Sequence, residues 1–265
     1  MKYSLKDKAV WITGASSGIG RALAIELAHK GAKCILTARS LSGLEETLSL
    51  MKNREKHRLL PLDLTNYEAV DEKAEELLRN QQVDILINNA GISQRSRVME
   101  TSFSVYRNLM EVNYFAVVYL TKLVTKQFIS NKSGMVVTIS SIAGKVGPPM
   151  RSGYAASKHA QHGFFDTYRA ETEKEGIHTM MVCPGYINTP LPHNALAADG
   201  SKYNQEDPEN AGGMEPEELA KKVVSAIESK KYDVAYGGFE VNALRLKKFW
   251  PSLLRRLLAK KANPK

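Results

Sequence analysis

Short apolar runs alternate with stretches of helical periodicity along most of the chain, and this alternation limits the fold more than any other feature of its 265 residues. Runs at 8–13, 33–37, 58–62, 84–87, 135–139 and 177–182 are rich in Val, Ile, Leu and Met and bounded by Gly, Pro or charged residues, the pattern of buried strands. Helical patterns occupy about 18–30, 41–53, 66–80, 104–131, 152–175 and 215–229, with Thr65 and Asn66 placed to cap the third. Strand followed by helix, repeated, predicts an α/β fold: a Rossmann-type doubly wound sheet of about seven parallel strands with helices on both faces, the last strand lying near 232–235.

Hydrophobic residues make up 43% and charged residues 25%, the mixture of a globular protein. The length suits a single catalytic domain over 1–240. Cys34 and Cys183 alone supply neither a disulfide framework nor a Cys-based metal site, and no metal is expected. In the opening MKYSLKDKAVWITG, Lys6, Asp7 and Lys8 fall where a signal peptide needs its apolar region. The longest charge-free run, 176–198, is broken by Pro184, Pro190, Pro192, two histidines and two asparagines, so no membrane span is expected. These features predict a cytoplasmic protein.

The net charge of +9 is unevenly spread. Between 241 and 265 there are eight Lys or Arg and no acid; the rest of the chain carries 29 basic against 28 acidic residues. The basic balance therefore belongs to a tail, which disfavours a nucleic-acid-binding body. In LRLKKFWPSLLRRLLAKK, Leu246, Phe249, Trp250, Leu253, Leu254, Leu257 and Leu258 recur at helical spacing among the cations. Such an extension suits peripheral contact with an anionic membrane, a second subunit or the substrate cleft.

The first chemical motif, TGASSGIG at 13–20, lies between the first strand and the first helix. Gly14, Gly18 and Gly20 let the backbone turn tightly against a pyrophosphate, and the helix N-terminus through Ser16, Ser17 and Ile19 offers unpaired N–H groups to it. The second strand ends LTARS. Where an acid would bind a ribose hydroxyl and reject a phosphate, Arg39 and Ser40 suit a 2′-phosphate, which favours NADP(H) over NAD(H). In YAASK, Tyr154 and Lys158 stand four residues apart on one helical face. The segment 185–213, rich in Pro and Gly, is long for a compact domain and reads as a substrate-covering loop.

Together these motifs resemble the short-chain dehydrogenase/reductase family over nearly the whole chain to about residue 240. Its TGxxxGxG turn is matched by Thr13 to Gly20, its NNAG by Asn88 to Gly91, and its helix asparagine by Asn113 in EVNYF. Its serine followed thirteen residues later by YxxxK is matched by Ser141, Tyr154 and Lys158, and its PG segment by Pro184 and Gly185, with Ile187 and Thr189 also fitting. IAGKVGPPMRSGYAASKHA and PGYINT look most similar to the branch containing dehydrogenase/reductase member 7.

The resemblance implies Ser141, Tyr154, Lys158 and Asn113 as catalytic residues. It implies cofactor contacts from Asp63, Leu64, Asn89, Ala90, Gly91, Pro184, Gly185, Ile187 and Thr189 besides the glycine turn, Tyr154 and Lys158. It also implies a homodimer or homotetramer acting on a small carbonyl or alcohol. Ser141 would stabilise the substrate oxygen, and Asn113 would hold a water relaying protons to Lys158. A free tyrosine has a pKa near ~10, and the charge of Lys158 is expected to lower it towards a working range. Ser140, the rival hydroxyl, is expected on cofactor or backbone, and His159 in a structural role. Pro148, Pro149, Met150, Tyr186 and Ile187 are expected to line an apolar pocket. Reduction of 3-oxoacyl thioesters is the alternative activity, and an NADP-sensing or membrane-surface protein with little catalysis the alternative class.

Overall fold

A computed structural model of the protein describes residues 2–205 and 212–263. Seven strands form one parallel sheet: β1 (Ala9–Thr13), β2 (Lys33–Thr37), β3 (Arg58–Leu59), β4 (Ile85–Asn88), β5 (Gly134–Ile139), β6 (Ile177–Pro184) and β7 (Asp233–Tyr236). Their order is β3-β2-β1-β4-β5-β6-β7, so the winding reverses between β1 and β4. In open sheets of this kind the crevice at that reversal, beyond the carboxyl ends of the strands, is where ligands sit.

Alternation along β1 shows how the two faces are covered. Val10 and Ile12 point into one layer with Leu23 and Leu27 of α1 (Gly18–His29) and Leu219 and Val223 of α7 (Pro216–Glu228). Trp11 points into the other, with Leu77 of α3 (Tyr67–Asn80), Val124 of α5 (Ala116–Asn131) and Phe165 of α6 (Ser152–Thr172). Both layers are buried, which is why the strands read as continuous apolar runs.

The predicted helix at 41–53 ends early, as α2 (Leu41–Ser49), and Asn53 then adopts a left-handed backbone at φ 55°. Asn66 caps α3, its Oδ1 accepting from Ala69 N at 3.2 Å, whereas Thr65 turns back to Asp63. The predicted helix at 104–131 is α4 (Phe103–Met110) and α5 joined through a wide π-turn, Glu111–Phe115. β3 has only two ladder residues, although Leu60 N and Leu62 N continue to bond Leu36 O and Ala38 O.

Beyond β7 the basic tail forms α8 (Asn242–Phe249) and α9 (Pro251–Ala262), separated at Trp250 because a proline disfavours helical backbone in the residue before it. Leu254 is buried, and Lys261 Nζ donates to Tyr186 Oη at 3.0 Å, so the tail folds back on the segment after β6. No helix among the described residues is long and apolar enough to cross a membrane. The predicted cover segment 185–213 is described except at 206–211, and Pro264 and Lys265 of the tail also lie outside the described residues.

Candidate active site

The glycine turn leaves β1 with Gly14 at φ 66° and Gly18 at φ 52°, both left-handed, which is where glycine is favoured. Asn89, just beyond β4, locks the turn: its Nδ2 donates to Thr13 O at 2.9 Å and Gly14 O at 3.1 Å. Thr13 Oγ1 in turn accepts from Asn89 N and Ala90 N at 3.0 and 3.1 Å. Asn88 instead bonds Thr121 inside the core, at 3.0 Å. A Cβ on Gly14 would lie 2.8 Å from Ala90 Cα, so β1 and β4 approach here as closely as bare backbone allows.

The N-terminus of α1 has no side-chain cap at Ser17 and no acid in its first turn, while Ile19 packs into the core. Its unpaired N–H groups suit an anion, so this chain's residues fit a dinucleotide pyrophosphate. Ser16 holds the turn from outside, its carbonyl accepting from Arg21 Nη2 at 2.7 Å while Arg21 also grips Glu46. Thr189 stands over Gly18, its Cγ2 3.2 Å from where a Cβ would be.

After β2, Arg39 and Ser40 are exposed, and Ser40 Oγ accepts from Gly43 N at 3.1 Å as the cap of α2. Asp63, after β3, faces Arg39. Partial burial pushes its carboxyl up, but the Thr65 N–H and hydroxyl and the Arg39 charge outweigh this and hold it below the ordinary value. The neighbouring Leu64 packs its side chain on the sheet layer.

At the carboxyl end of β5, Ser141 Oγ accepts from Ala143 N at 3.1 Å and its hydroxyl hydrogen-bonds the Tyr154 phenol from α6. Lys158, one turn further along α6, is 4% exposed; its Nζ donates to Ile139 O at 2.9 Å and lies 5.9 Å from the Tyr154 ring centre. Burial pushes the Lys158 ammonium down to about 8. Tyr154 departs from the expectation that Lys158 would lower it. Burial pushes the phenol up, the Ser141 hydrogen bond and the Arg151 charge offset this in part, and the net direction is upward.

Asn113 is buried in the π-turn. Its Oδ1 accepts from Ile92 N, its Nδ2 donates to Ile92 O (both 2.9 Å) and to Ser157 Oγ (3.0 Å), and its main-chain carbonyl accepts from Gln161 Nε2 at 2.6 Å. The amide thus braces β4's exit against α6. Backbone without a side chain at Gly91 leaves the approach to Lys158 open, since a Cβ there would come within 3.7 Å of Nζ.

Two further expectations change. Ser140 Oγ bonds His162 Nε2 at 3.2 Å in the core, so this hydroxyl faces neither cofactor cleft nor backbone. Ile187 is turned into the core beside Met214, because 186–188 pair with Met214, and does not line a pocket. Pro184 ends β6 and Gly185 packs on Glu240, whose carboxylate accepts from Tyr186 N at 2.8 Å. Glu240 and the buried Gln94 have no signature in the sequence: each accepts from a main-chain N–H more than fifty positions away. His159 Nδ1 bonds Ala155 O at 2.8 Å, a structural contact within its own helix.

Comparison with known proteins follows the same lines. The signature of the family described as short chain dehydrogenase matches residues 8–199. Dehydrogenase/reductase SDR family member 7B of Danio rerio is 39% identical over 269 residues, 98% of this chain and 87% of that one. A crystal structure of a short-chain dehydrogenase from Streptomyces avermitilis superimposes with a TM-score of 0.80 at 29% identity, covering 97% of each chain. An alcohol dehydrogenase from Thermococcus sibiricus, complexed with 5-hydroxy-NADP, gives 0.75 at 25% identity over 89% of this chain and 98% of that one. On its fold, its motifs and these likenesses, the chain belongs to the short chain dehydrogenase/reductase family, in the branch of dehydrogenase/reductase member 7.

Proposed function

We propose that the protein is an NADP(H)-dependent oxidoreductase that interconverts a carbonyl and a secondary alcohol on a hydrophobic substrate, with Tyr154 as general acid and base. The observation that carries this reading is the convergence of Ser141, Tyr154 and Lys158 at the carboxyl end of β5, with the phenol buried, hydrogen-bonded and held above its ordinary pKa. A phenol in that state keeps its proton at neutral pH and is poised to give it to a substrate oxygen. Ser141 is placed to donate to the same oxygen as charge develops on it. Lys158, buried one turn from Tyr154 and beside the bare backbone of Gly91, would hold the ribose of a bound cofactor. A bound nicotinamide supplies or takes up the hydride at the substrate carbon.

Arg39 and Ser40 support the 2′-phosphate, and the NADP analogue in the Thermococcus sibiricus relative supports the same choice. The test is to follow NADPH and NADH oxidation with a panel of ketones, aldehydes, 3-oxoacyl thioesters and steroids. NADPH should drive reduction of apolar ketones or aldehydes. Arg39→Ala should weaken NADPH binding about 10- to 100-fold and leave NADH binding unchanged, since one charge-assisted contact is worth roughly 1.5–3 kcal/mol. Equal use of both cofactors by the unaltered chain overturns the cofactor assignment, and a preference for 3-oxoacyl thioesters moves the substrate to that class.

The tail supports a second element of function, peripheral contact with an anionic membrane. While Leu254 faces inward, Phe249 and Trp250 are 61% and 60% exposed, and Leu253 and Leu257 are also exposed, amid Lys248, Arg256 and Lys260. Apolar groups edged by cations are the composition of an interfacial helix. Vesicles containing phosphatidylserine should co-sediment the protein, and deletion of 241–265 should abolish this. Undiminished co-sedimentation after the deletion excludes the tail as the contact.

A further inference from the structure

The helix that carries Tyr154 and Lys158 begins without a cap of its own. Arg151, at the N-cap position of α6, gives the helix no side-chain cap bond, and the N–H groups of Gly153 and Tyr154 fall in the first turn, where a helix supplies no acceptor of its own. They are met from another part of the chain. Gln94 Oε1 accepts from Gly153 N at 2.8 Å and from Tyr154 N at 3.4 Å. Gln94 is fully buried, and its Nε2 donates to Ser96 Oγ and Thr101 Oγ1, both at 3.0 Å. The amide is therefore satisfied on both ends and fixed in direction. The missing side chain at Gly153 permits the approach, because a Cβ there would lie 3.0 Å from Oε1 and 2.8 Å from Leu109 and Tyr106.

The short rib around Gln94 is tied to the π-turn, to the segment at Leu196 and to the entry of α6. Asn113 holds Ile92 by both of its main-chain polar atoms. Ser93 O accepts from Leu196 N and Arg95 N donates to Leu196 O, each at 2.8 Å, which joins the rib to the segment after β6. Ser96 N donates to Met150 O at 3.0 Å, just before α6.

We infer that Gln94 is a positioning residue for the reaction: its amide sets the N-terminal turn of α6, and with it the Tyr154 phenol, in register with the segment at Leu196 that covers the cleft. The amide caps two N–H groups that the helix leaves unpaired, and one of them belongs to Tyr154 itself, so the cap and the phenol share one turn. This inference rests on Tyr154 being the proton donor. Displacing a reacting group by about 1 Å costs on the order of 100-fold in rate, so loss of the cap is read in kcat.

The test uses the full chain and NADPH oxidation with the best carbonyl of the panel. Gln94→Met keeps length and removes both polar ends. Its kcat should fall about 10- to 100-fold, with KM and NADPH affinity within about threefold of the unaltered protein. Gln94→Glu, which offers oxygens to the same two N–H groups, should recover most of that kcat in the reductive direction, where Tyr154 must hold its proton. A Gln94→Met protein that is merely less heat-stable, with unchanged kcat, overturns the inference. If Gln94→Met does not fold, Ser96→Ala with Thr101→Val frees the amide and leaves its oxygen; a kcat reduced several-fold supports positioning, and an unchanged kcat overturns it. Tyr154→Phe run alongside separates the two ideas. Turnover surviving in Tyr154→Phe refutes the proton donor, whereas loss there with a normal Gln94→Met refutes only the role of Gln94.

Discussion

Tyr154→Phe should lower kcat by about 10²- to 10⁴-fold, the range of a general acid, while NADPH affinity stays within about twofold. The variant removes one oxygen and keeps the ring, which packs with Val105, Leu109, Ala143 and Ala155, so the fold should be spared. The Ser141 hydroxyl loses a partner in the phenol but keeps its bond from Ala143 N. The pH dependence follows from the same group. Burial raises the phenol, Ser141 and Arg151 pull it down only in part, and Cys183 adds to the rise. Protonated phenol therefore prevails through neutral pH, and its own limb of the reductive rate should fall only above the ordinary ~10 of tyrosine, whereas Lys158, pushed down to about 8, sets an earlier and shallower limb. The oxidative rate, which needs the phenolate, should climb over that same alkaline range. Stopped-flow reduction and oxidation across pH check both limbs. A Phe variant retaining a tenth of kcat, or showing the same alkaline limb, would remove Tyr154 from the chemistry.

Much of this was legible from residue patterns because the determinants are local. Strands buried on both faces give short apolar runs, and the glycine turn, NNAG and YAASK each keep a fixed local spacing, even though Asn89 acts on Thr13 and Gly14 far away in the chain. The π-turn at Glu111–Phe115 was not legible, because helical periodicity tolerates one wide turn. Its physical support is Gln161, which reaches across from α6 to the Asn113 carbonyl. Tyr154 shows a different limit. A same-face lysine implies a lowered phenol, but the sign depends on burial, which only the packed helix reveals. Ser140 and Ile187 were misplaced for a similar reason: their positions in a motif are fixed, while the directions of their side chains are set by His162 and Met214.

Gly20→Ala should abolish cofactor binding and lower stability, although alanine is the better helix former by about 1 kcal/mol. Gly20 lies in the first turn of α1, and an added Cβ would land on the Gly14 carbonyl oxygen and within 2.5 Å of Asn89 Nδ2. Neither neighbour can yield freely. The carbonyl belongs to a turn held at positive φ, and Asn89 Nδ2 is committed to Thr13 O and Gly14 O. Relief requires the turn to leave β4, which sacrifices these bonds at about 1 kcal/mol each and adds overpacking of roughly 1–3 kcal/mol. The clash and the lost bonds together exceed the propensity gain, so the net change is destabilising. The turn is also the surface offered to the pyrophosphate, so NADPH affinity should fall by more than about 100-fold, well beyond what the stability loss alone would produce. Gly163→Ala is the control. It lies within α6, exposed, with nothing within 4 Å of an added Cβ, and there the propensity gain should appear as unchanged or slightly higher thermal stability with normal NADPH binding. Fluorescence titration with NADPH and thermal denaturation of both variants decide the matter: if Gly20→Ala behaves like Gly163→Ala, the turn is not the cofactor cradle.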